Sequence, residues 1–498
     1  MTLNGNGFPS NGLPKAKDFV SFLNKETLSR ERSGLKGYLA YRNRPGMSAL
    51  GGGLPHPSLF SFQSIDVSVN DYTPRPATVK NAAIFHMSKS KQPSFKKATV
   101  PLFPDLRASV TLGEALQYGE GRGLQKLVTL LSESVEKTHK PKYCDWSLVV
   151  TSGNTDAMDK CLRLFCEQGD AVLVEEFSYP SAMEQMRPLG LHLVPVKVDA
   201  EGMVPSDVIR AASDFRMTHP ESRLNLIYVV PTGQNPLGTS MSTERRQQFY
   251  KACQSLDLVI LEDDPYSVLQ LPPFTTEDVD KDLAELEASY SYAGNTGLMP
   301  SLLSFDTDGR VVYMYTYSKV LAPGCRLGYI VTNDLFAEKF TFLTEVTTQG
   351  SSGISQAIVT EMLSKWTPSD HYNLAIYLQK YYTHKRNVIV RAAMRALNKS
   401  ESQPQVAEFV VPTSGMFIWI KVNLPDAFKP GIMKRIFDSL IQNGVLVVPG
   451  MEFCPSGRKG NEDAPYFRAA FSYASDEDLE RAMTILGRIL RDLGCGQS

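Results

Sequence analysis

The sequence predicts an α/β protein with a largely parallel sheet between helices and a second, smaller α+β domain. Apolar runs of strand length alternate with helical segments from residue 146 to 330, which is typical of a parallel sheet covered by helices. The C-terminal part predicts the smaller domain, with an amphipathic helix over 372–397, strands over 409–411, 416–422 and 445–448, and a last helix over 476–493.

Composition, charge and cysteine spacing indicate which classes of protein and partner to expect. The 498 residues are 42% hydrophobic and 21% charged, which is ordinary for a soluble protein. Lys and Arg total 52 against 53 Asp and Glu, so charge gives no reason to expect nucleic acid or an anionic membrane as a partner. The seven Cys are scattered without a C-x-x-C pair, and no apolar run is long enough to span a membrane. We therefore expect a cytoplasmic protein without nucleic-acid or membrane partners.

The chain begins with a Gly-, Asn- and Pro-rich stretch over 1–14, which predicts a flexible arm, and continues with a basic segment up to residue 50. Lys36 lies in this segment, and a charge excess of this kind is usually solvated. The run L-G-G-G-L-P at 50–55 permits a close backbone approach or a turn. Residues 56 to about 105 predict loops.

Residues 112–123, L-G-E-A-L-Q-Y-G-E-G-R-G, predict a helix that ends in a glycine-rich loop. An apolar strand follows at Trp146–Thr151 and runs into S-G-N-T-D-A and a helix. A strand, a glycine turn and a capping-type Asn or Thr at a helix start form an anion site, because free backbone N–H groups point outward there. The candidate phosphate ligands are Gly153, Asn154 and Thr155, and an ordinary helix cap is the alternative interpretation.

Three more strands predict further site residues at their carboxyl ends. The strand 171–175 leads to Tyr179, and the strand 224–230 leads to the turn P-T-G-Q-N-P-L-G, which contains Asn235. A strand over 256–263 ends in Glu262, Asp263 and Asp264, at the edge where α/β sheets bind ligands. Acidic residues at a strand end also suit a metal, but no His lies nearby in the sequence, so we predict no metal site.

The stretch Y-T-Y-S-K-V-L-A-P-G-C-R-L-G-Y at 315–329 follows an apolar, β-rich run. Residues two apart in an extended segment share a face, so Thr316 and Ser318 can present their hydroxyls together. Lys319 can form a Schiff base, and Arg326 with the hydroxyls can hold a phosphate. This set suits a phosphorylated aldehyde, although a lysine after a strand is usually a surface residue.

Arg468 lies in the apolar strand sequence Y-F-R-A-A-F. A charge in such a strand is costly unless it is paired, so the arginine has either a buried structural partner or a carboxylate ligand.

These motifs carry a family resemblance. The pattern S-x-S-K-x-x-x-x-G-x-R, with Thr316 in place of the first Ser, is similar to the cofactor-lysine signature of class I, fold type I aminotransferases that use pyridoxal 5′-phosphate (PLP). The segments P-T-G-Q-N-P-L-G and Asp263-x-x-Tyr266 resemble the same family in the same order. The insertion over 271–300 resembles the fungal aromatic-amino-acid aminotransferase and kynurenine/aminoadipate aminotransferase branch.

The resemblance implies a role for each matching residue. Lys319 would hold PLP and act as general base and acid, Asp263 would face the ring nitrogen, and Tyr179 would stack on the ring. Further implied ligands are Asn235 and Tyr266 for the 3′-oxygen, with Asn235 also near the substrate, and Thr316, Ser318 and Arg326 for the phosphate. Arg468 would bind the substrate carboxylate, Gly53 would line the substrate side, and Tyr118 would reach the phosphate of the neighbouring subunit in a homodimer.

The implied reaction is ping-pong transfer of an amino group from phenylalanine, tyrosine or tryptophan, with 2-aminoadipate or kynurenine as further donors, to a 2-oxo acid such as 2-oxoglutarate. The implied domains are an N-terminal segment over 1–50 that packs on the small domain, a large PLP-binding domain over 51–365 and a small domain over 366–498. Two alternatives stay open: a PLP-dependent lyase, and a transcription regulator with an aminotransferase-like domain.

Overall fold

The computed structural model describes residues 12–39, 41, 44–48, 50–72, 95–106, 108–274, 298–398, 405–424 and 429–495. The chain forms two compact units. The first comprises Met1–Gln168, Val259–Pro265 and Pro300–Leu374, and the second comprises Gly169–Leu258, Tyr266–Met299 and Ala375–Ser498. The predicted arm falls largely outside the described residues, as does the predicted insertion over 271–300, of which residues 275–297 are not described. The three predicted domains stay a prediction.

Fifteen strands occur in the described residues. In chain order they are β1 (Ser64–Asn70), β2 (Phe95–Pro101), β3 (Trp146–Thr151), β4 (Ala171–Glu175), β5 (His192–Val196), β6 (Val198–Asp199), β7 (Gly202–Met203), β8 (Leu224–Val229), β9 (Val259–Asp263), β10 (Val311–Thr316), β11 (Gly328–Asn333), β12 (Ala407–Phe409), β13 (Phe417–Val422), β14 (Val448–Pro449) and β15 (Tyr466–Ala470).

The described residues also form thirteen α-helices. They are α1 (Lys25–Ser29), α2 (Gly34–Leu39), α3 (Leu112–Ala115), α4 (Gln125–Thr138), α5 (Asn154–Phe165), α6 (Pro180–Met186), α7 (Pro205–Thr218), α8 (Thr243–Ser255), α9 (Asp334–Thr347), α10 (Gly353–Lys365), α11 (Pro368–Leu397), α12 (Ile432–Gln442) and α13 (Asp476–Cys495).

The first unit contains strands in the order β3-β11-β10-β9. β9 and β10 are parallel, and β11 runs antiparallel to both β10 and β3. All six residues of β3 (W-S-L-V-V-T) and all five of β9 (V-I-L-E-D) are buried, and both sequences are mainly apolar, as expected of strands covered on both faces. Met314 pairs with Asp263, and Thr316 pairs with Gly328, which in turn pairs with Thr151. The register therefore brings the chain segments that carry the predicted ligands to one edge.

The second unit contains parallel strands in the order β8-β4-β5 and an antiparallel sheet in the order β12-β13-β15-β14. Trp419 on β13 lies directly opposite Arg468 on β15. Cross-strand partners project to the same face of a sheet, so Arg468 shares its face with aromatic residues at alternate positions of β13.

The predicted mainly parallel α/β fold is confirmed, as is the helix predicted at the start of 112–123, which comprises Leu112–Ala115 and ends before the glycine-rich loop. Three other local predictions are wrong. Residues 56–105 were expected to be loops, yet they contain the antiparallel pair β1–β2. Of the strand predicted over 445–448, only Val448 lies in a strand, β14 (Val448–Pro449). The strand expected at 409–411 lies at Ala407–Phe409. In the described part of the chain, no helix is both long and apolar enough to span a membrane.

Candidate active site

The lysine predicted to bind the cofactor lies in a short turn that directly follows β10. Thr316 ends the strand and caps a single 3₁₀ turn, Tyr317–Lys319, by accepting a hydrogen bond from the Ser318 backbone N–H at 3.2 Å. The Thr316 hydroxyl also donates to Oγ of Ser318 at 2.9 Å. The side chain of Lys319 is half-buried. The predicted pairing of the two hydroxyls is therefore present, although the turn rather than an extended strand produces it.

A layer of tyrosines supports this turn. The rings of Tyr315 and Tyr329 stack at 5.0 Å, and Tyr317 meets Tyr315 edge-on at 5.4 Å. Burial raises the pKa of all three phenols, so they remain neutral at physiological pH. Neutral packed rings hold the backbone before and after Lys319 without adding charge.

Arg326 joins the lysine turn to the start of helix α5. Its Nη2 donates to the Ser152 carbonyl at 2.8 Å, and its Nη1 lies 3.3 Å from Oγ of Ser318. Gly153 precedes the helix with φ of 93°, and a Cβ there would lie 2.9 Å from Nη2 of Arg326. A larger residue would thus displace the guanidinium. A helix N-terminus, a hydroxyl and a guanidinium are together chemically suited to a dianionic phosphate.

Asn154 does not cap helix α5, contrary to the expected capping. The N-cap is Gly153, and no side chain caps it. Instead, Nδ2 of Asn154 donates to Oδ1 of Asp263 at 2.6 Å and to the Met314 carbonyl at 3.0 Å. The Oδ1 atom of Asn154 is buried and has no hydrogen-bond partner among the described residues. Asn154 therefore orients the buried carboxyl group of Asp263 at the end of β9.

The turn predicted to hold Asn235 follows β8 in the second unit. Oδ1 of Asn235 accepts a hydrogen bond of 2.9 Å from Nη1 of Arg468, a residue 233 positions away in sequence. The Asn235–Pro236 peptide bond is cis. The sequence left open whether Arg468 has a buried structural partner or a carboxylate ligand. The structure shows one polar partner for its guanidinium in the same unit, the side chain of Asn235.

Two phenylalanine rings flank the Arg468 guanidinium, and sequence reasoning missed both. Cζ of Arg468 lies 4.4 Å from the ring centroid of Phe417 and 5.1 Å from that of Phe453. Burial lowers the pKa of Arg468 from its usual value, while nearby Tyr266 and Tyr179 act to raise it. Nε of Arg468 is buried and has no hydrogen-bond partner among the described residues. Only the position of Phe417 on the same face of the adjacent strand could have indicated this contact.

The other predicted site residues differ in how far they are exposed. Tyr179 is half-buried before helix α6, and Tyr266 is buried with its ring edge-on to Phe417 at 6.1 Å. Thr155 is exposed in the first turn of α5, and Tyr118 is 53% exposed. Gly53 is also exposed, with nothing within 4 Å of an added Cβ. Their predicted roles stay predictions.

The family model for aminotransferase class I and II matches residues 90–486. The chain belongs to this family. Among relatives of this aminotransferase, an aromatic amino acid aminotransferase of Schizosaccharomyces pombe is 32% identical over 488 residues, covering 96% of this chain and 98% of the relative. An L-tyrosine:2-oxoglutarate aminotransferase of Serpula lacrymans is 29% identical, covering 96% of each chain. The crystal structure of aminotransferase Aro8 from Candida albicans is 30% identical, covers 96% of this chain and 99% of that chain, and superposes with a TM-score of 0.83.

The chain is thus a PLP-dependent transaminase of PLP fold type I, and its own residues fit the cofactor. Gly153 leaves the space that Arg326 occupies at the helix start, where a phosphate would bind. The buried Asn154–Asp263 pair provides an oriented carboxyl group for a protonated ring nitrogen. Among the described residues, no cluster of three or more His, Cys, Asp and Glu could hold a metal ion.

Proposed function

We propose that this transaminase transfers the amino group of an aromatic L-amino acid (phenylalanine, tyrosine or tryptophan) to a 2-oxo acid such as 2-oxoglutarate. 2-Aminoadipate and kynurenine are further candidate donors. The observation that carries the proposal is the environment of Arg468, whose guanidinium is held by Asn235 and flanked by Phe417 and Phe453. A desolvated guanidinium with an unpaired Nε binds a carboxylate strongly, and flanking aromatic rings favour a substrate with an apolar side chain.

We assign the cofactor-binding roles in the first unit as follows. Nζ of Lys319 would hold the cofactor and, once the substrate amine has replaced it there, would take the proton from Cα of the substrate and return it at C4′. Arg326, Ser318, Thr316 and the start of helix α5 (Gly153, Asn154 and Thr155) hold the phosphate. Asp263, oriented by Asn154, keeps the ring nitrogen protonated. When bound, PLP supplies the electron-withdrawing ring that stabilises negative charge at Cα.

The roles on the substrate side are assigned from the same motif resemblance. Arg468 binds the α-carboxylate and so directs the Cα–H bond. Asn235 and Tyr266 would bind the 3′-oxygen of the cofactor, and Tyr179 would lie against its ring. Gly53 leaves room next to the substrate. Each of these assignments follows from the matching motif position.

We further propose that the enzyme works in the cytoplasm as a homodimer in which Tyr118 reaches the phosphate of the partner's cofactor. The 53% exposure of Tyr118 supports this, because a phenol that serves a second chain is exposed in the single chain. A mixture of Lys319→Ala and Tyr118→Phe proteins, refolded together, tests the sharing of sites. Mixed dimers with one intact site recover activity that neither variant has alone; no recovery contradicts a shared site.

The main experiment is an absorption spectrum of the purified protein before and after phenylalanine, and then after 2-oxoglutarate. Phenylalanine should bleach the visible band of the bound cofactor, and 2-oxoglutarate should restore it. Lys319→Ala should abolish the cycle, whereas Lys434→Ala, which removes an exposed lysine paired with Asp438, should preserve it. A band that no amino acid bleaches reversibly contradicts transamination and favours the lyase alternative.

A further inference from the structure

Gln234, which directly precedes Asn235, has every polar group of its side chain engaged. The residue is 1% exposed. Its Nε2 donates to Oε2 of Glu175 at 2.9 Å and to the Phe177 carbonyl at 2.7 Å, so both amide hydrogens are used. Its Oε1 accepts from the Leu237 backbone N–H at 2.8 Å. A buried glutamine with three hydrogen bonds is held in one rotamer, because any rotation leaves buried polar groups unpaired.

The backbone of Gln234 closes the same turn. Its N–H donates to the Thr239 carbonyl at 2.9 Å, and its carbonyl accepts from the Gly238 N–H at 2.6 Å. The backbone hydrogen bonds of Gln234 with Gly238 and Thr239 therefore close the loop that contains Asn235. The position of the Asn235 side chain depends on how firmly this loop is held.

Glu175 connects the loop to the sheet. It is the last residue of β4, has no exposed surface and belongs to a strand that pairs in parallel with β8. The turn at Gln234 follows β8, so the hydrogen bond between Glu175 and Gln234 links the carboxyl ends of two neighbouring strands. Strands are the rigid part of the fold, and this link transfers their rigidity to the loop.

We propose that Gln234, held by Glu175, is a positioning residue that sets the orientation of Asn235 and, through it, of the Arg468 guanidinium toward the substrate carboxylate. The proposal rests on the carboxylate role assigned to Arg468 above. We assign Glu175 and Gln234 no role at the reacting atoms. Loss of their hydrogen bond should weaken carboxylate binding and leave the chemistry of Lys319 intact.

The discriminating variant is Gln234→Glu, which keeps the shape of the side chain, removes both amide donors and places two carboxyl groups against each other. The expected result is a rise of about tenfold in KM for phenylalanine with a smaller change in kcat. The dissociation constant of 3-phenylpropionate, measured by calorimetry, should rise by a similar factor. 3-Phenylpropanol, which has no carboxylate, should bind the variant and the wild type equally.

The exchange variant Glu175→Gln/Gln234→Glu tests the specific pair. The amide at 175 can donate to the carboxyl group at 234, so affinity for 3-phenylpropionate should recover at least in part. Gln356→Leu is a matched control in the first unit, because Gln356 is also a buried glutamine that accepts from the Leu124 N–H at 2.7 Å and donates to the Ser351 carbonyl at 2.8 Å. This control should lower the melting temperature without changing 3-phenylpropionate affinity.

Two results would overturn the inference. One is wild-type affinity for 3-phenylpropionate in Gln234→Glu. The other is loss of affinity for both phenyl ligands together with a melting temperature as low as in Gln356→Leu, which indicates general loosening. If Gln234→Glu does not fold, Gln234→Asn, which shortens the side chain by one methylene, takes its place. The wild-type protein tests the proposed function separately. If it transaminates phenylalanine, the proposed function stands whichever result the variants give. If it does not, the proposed function is refuted.

Discussion

Asn154 donates a hydrogen bond of 2.6 Å from Nδ2 to Oδ1 of Asp263, across 109 residues of sequence. Asp263 ends a fully buried strand, and its carboxyl group has little access to water. A donor at this distance fixes the orientation of the carboxyl group. The pair therefore connects the start of helix α5 to the carboxyl group that we propose faces the cofactor ring.

Asp263→Ala should retain the visible band of the bound cofactor and lose most turnover. Lys319 still anchors the cofactor, but the ring nitrogen loses its charged partner. We expect kcat with phenylalanine to fall by about 100- to 1000-fold. Steady-state rates alongside absorption spectra check this, and wild-type turnover in the variant would remove Asp263 from its assigned role.

Asn154→Leu should lower kcat by about tenfold, because Asp263 then loses an orienting donor. The two residues act as one unit, so the losses should not add. In a cycle of Asn154→Leu, Asp263→Asn and the double variant, we expect the double variant to resemble Asp263→Asn alone. Strict additivity of the two losses would show that Asn154 acts independently of Asp263.

Gly153→Ala should weaken PLP binding by about tenfold, because its Cβ displaces the Arg326 guanidinium. Gly169→Ala is the matched control. Gly169 has φ of 89°, close to the 93° of Gly153, but nothing lies within 4 Å of its added Cβ. Both variants carry similar backbone strain, and only the first should change the dissociation constant in PLP titrations of the apoenzyme. Equal effects would attribute the loss to strain alone.

Arg468→Lys should raise KM for phenylalanine and lower kcat/KM by roughly 30-fold or more, since an ammonium cannot reproduce the planar fork that pairs with a carboxylate. Arg481→Lys provides the comparison, because Arg481 is an exposed arginine of the same unit that pairs with Asp478 at 3.2 Å. Steady-state kinetics with phenylalanine distinguish the two. Unchanged kcat/KM in Arg468→Lys would contradict carboxylate binding at this position.

His139 predicts a pH dependence of stability. Burial lowers the pKa of His139 from 6.5 to about 4, and its Nδ1 lies 2.7 Å from Oγ of Ser301. The unfolded chain binds the proton more readily, so this contribution is complete above pH 6.5 and is lost as the pH falls toward 4. The loss amounts to roughly 3 kcal/mol in the free energy of unfolding.

Urea unfolding at several pH values checks this prediction. His139→Leu should flatten the decline between pH 6.5 and 4, whereas His56→Leu, which removes an exposed histidine, should preserve it. A decline of unchanged size in His139→Leu would assign it to other groups.

The sequence by itself determined the α/β fold class, the position of Lys319 after a strand, and the turn that contains Asn235. Each depends on local patterns of apolar residues, glycine and proline, which constrain nearby backbone torsions. The prediction missed the β1–β2 pair, although Ile65, Val67 and Val69 of β1 alternate with polar residues as in a half-buried strand.

Only the tertiary structure decided which side chains meet. Asn154 looked like a helix cap and instead binds Asp263, while Arg468 finds Asn235 at a separation of 233 residues. Gln234 was unremarked in the sequence, yet it holds the turn to Glu175. Such partners depend on strand order and register, which bring together side chains distant in sequence, and local propensity carries no information about that arrangement.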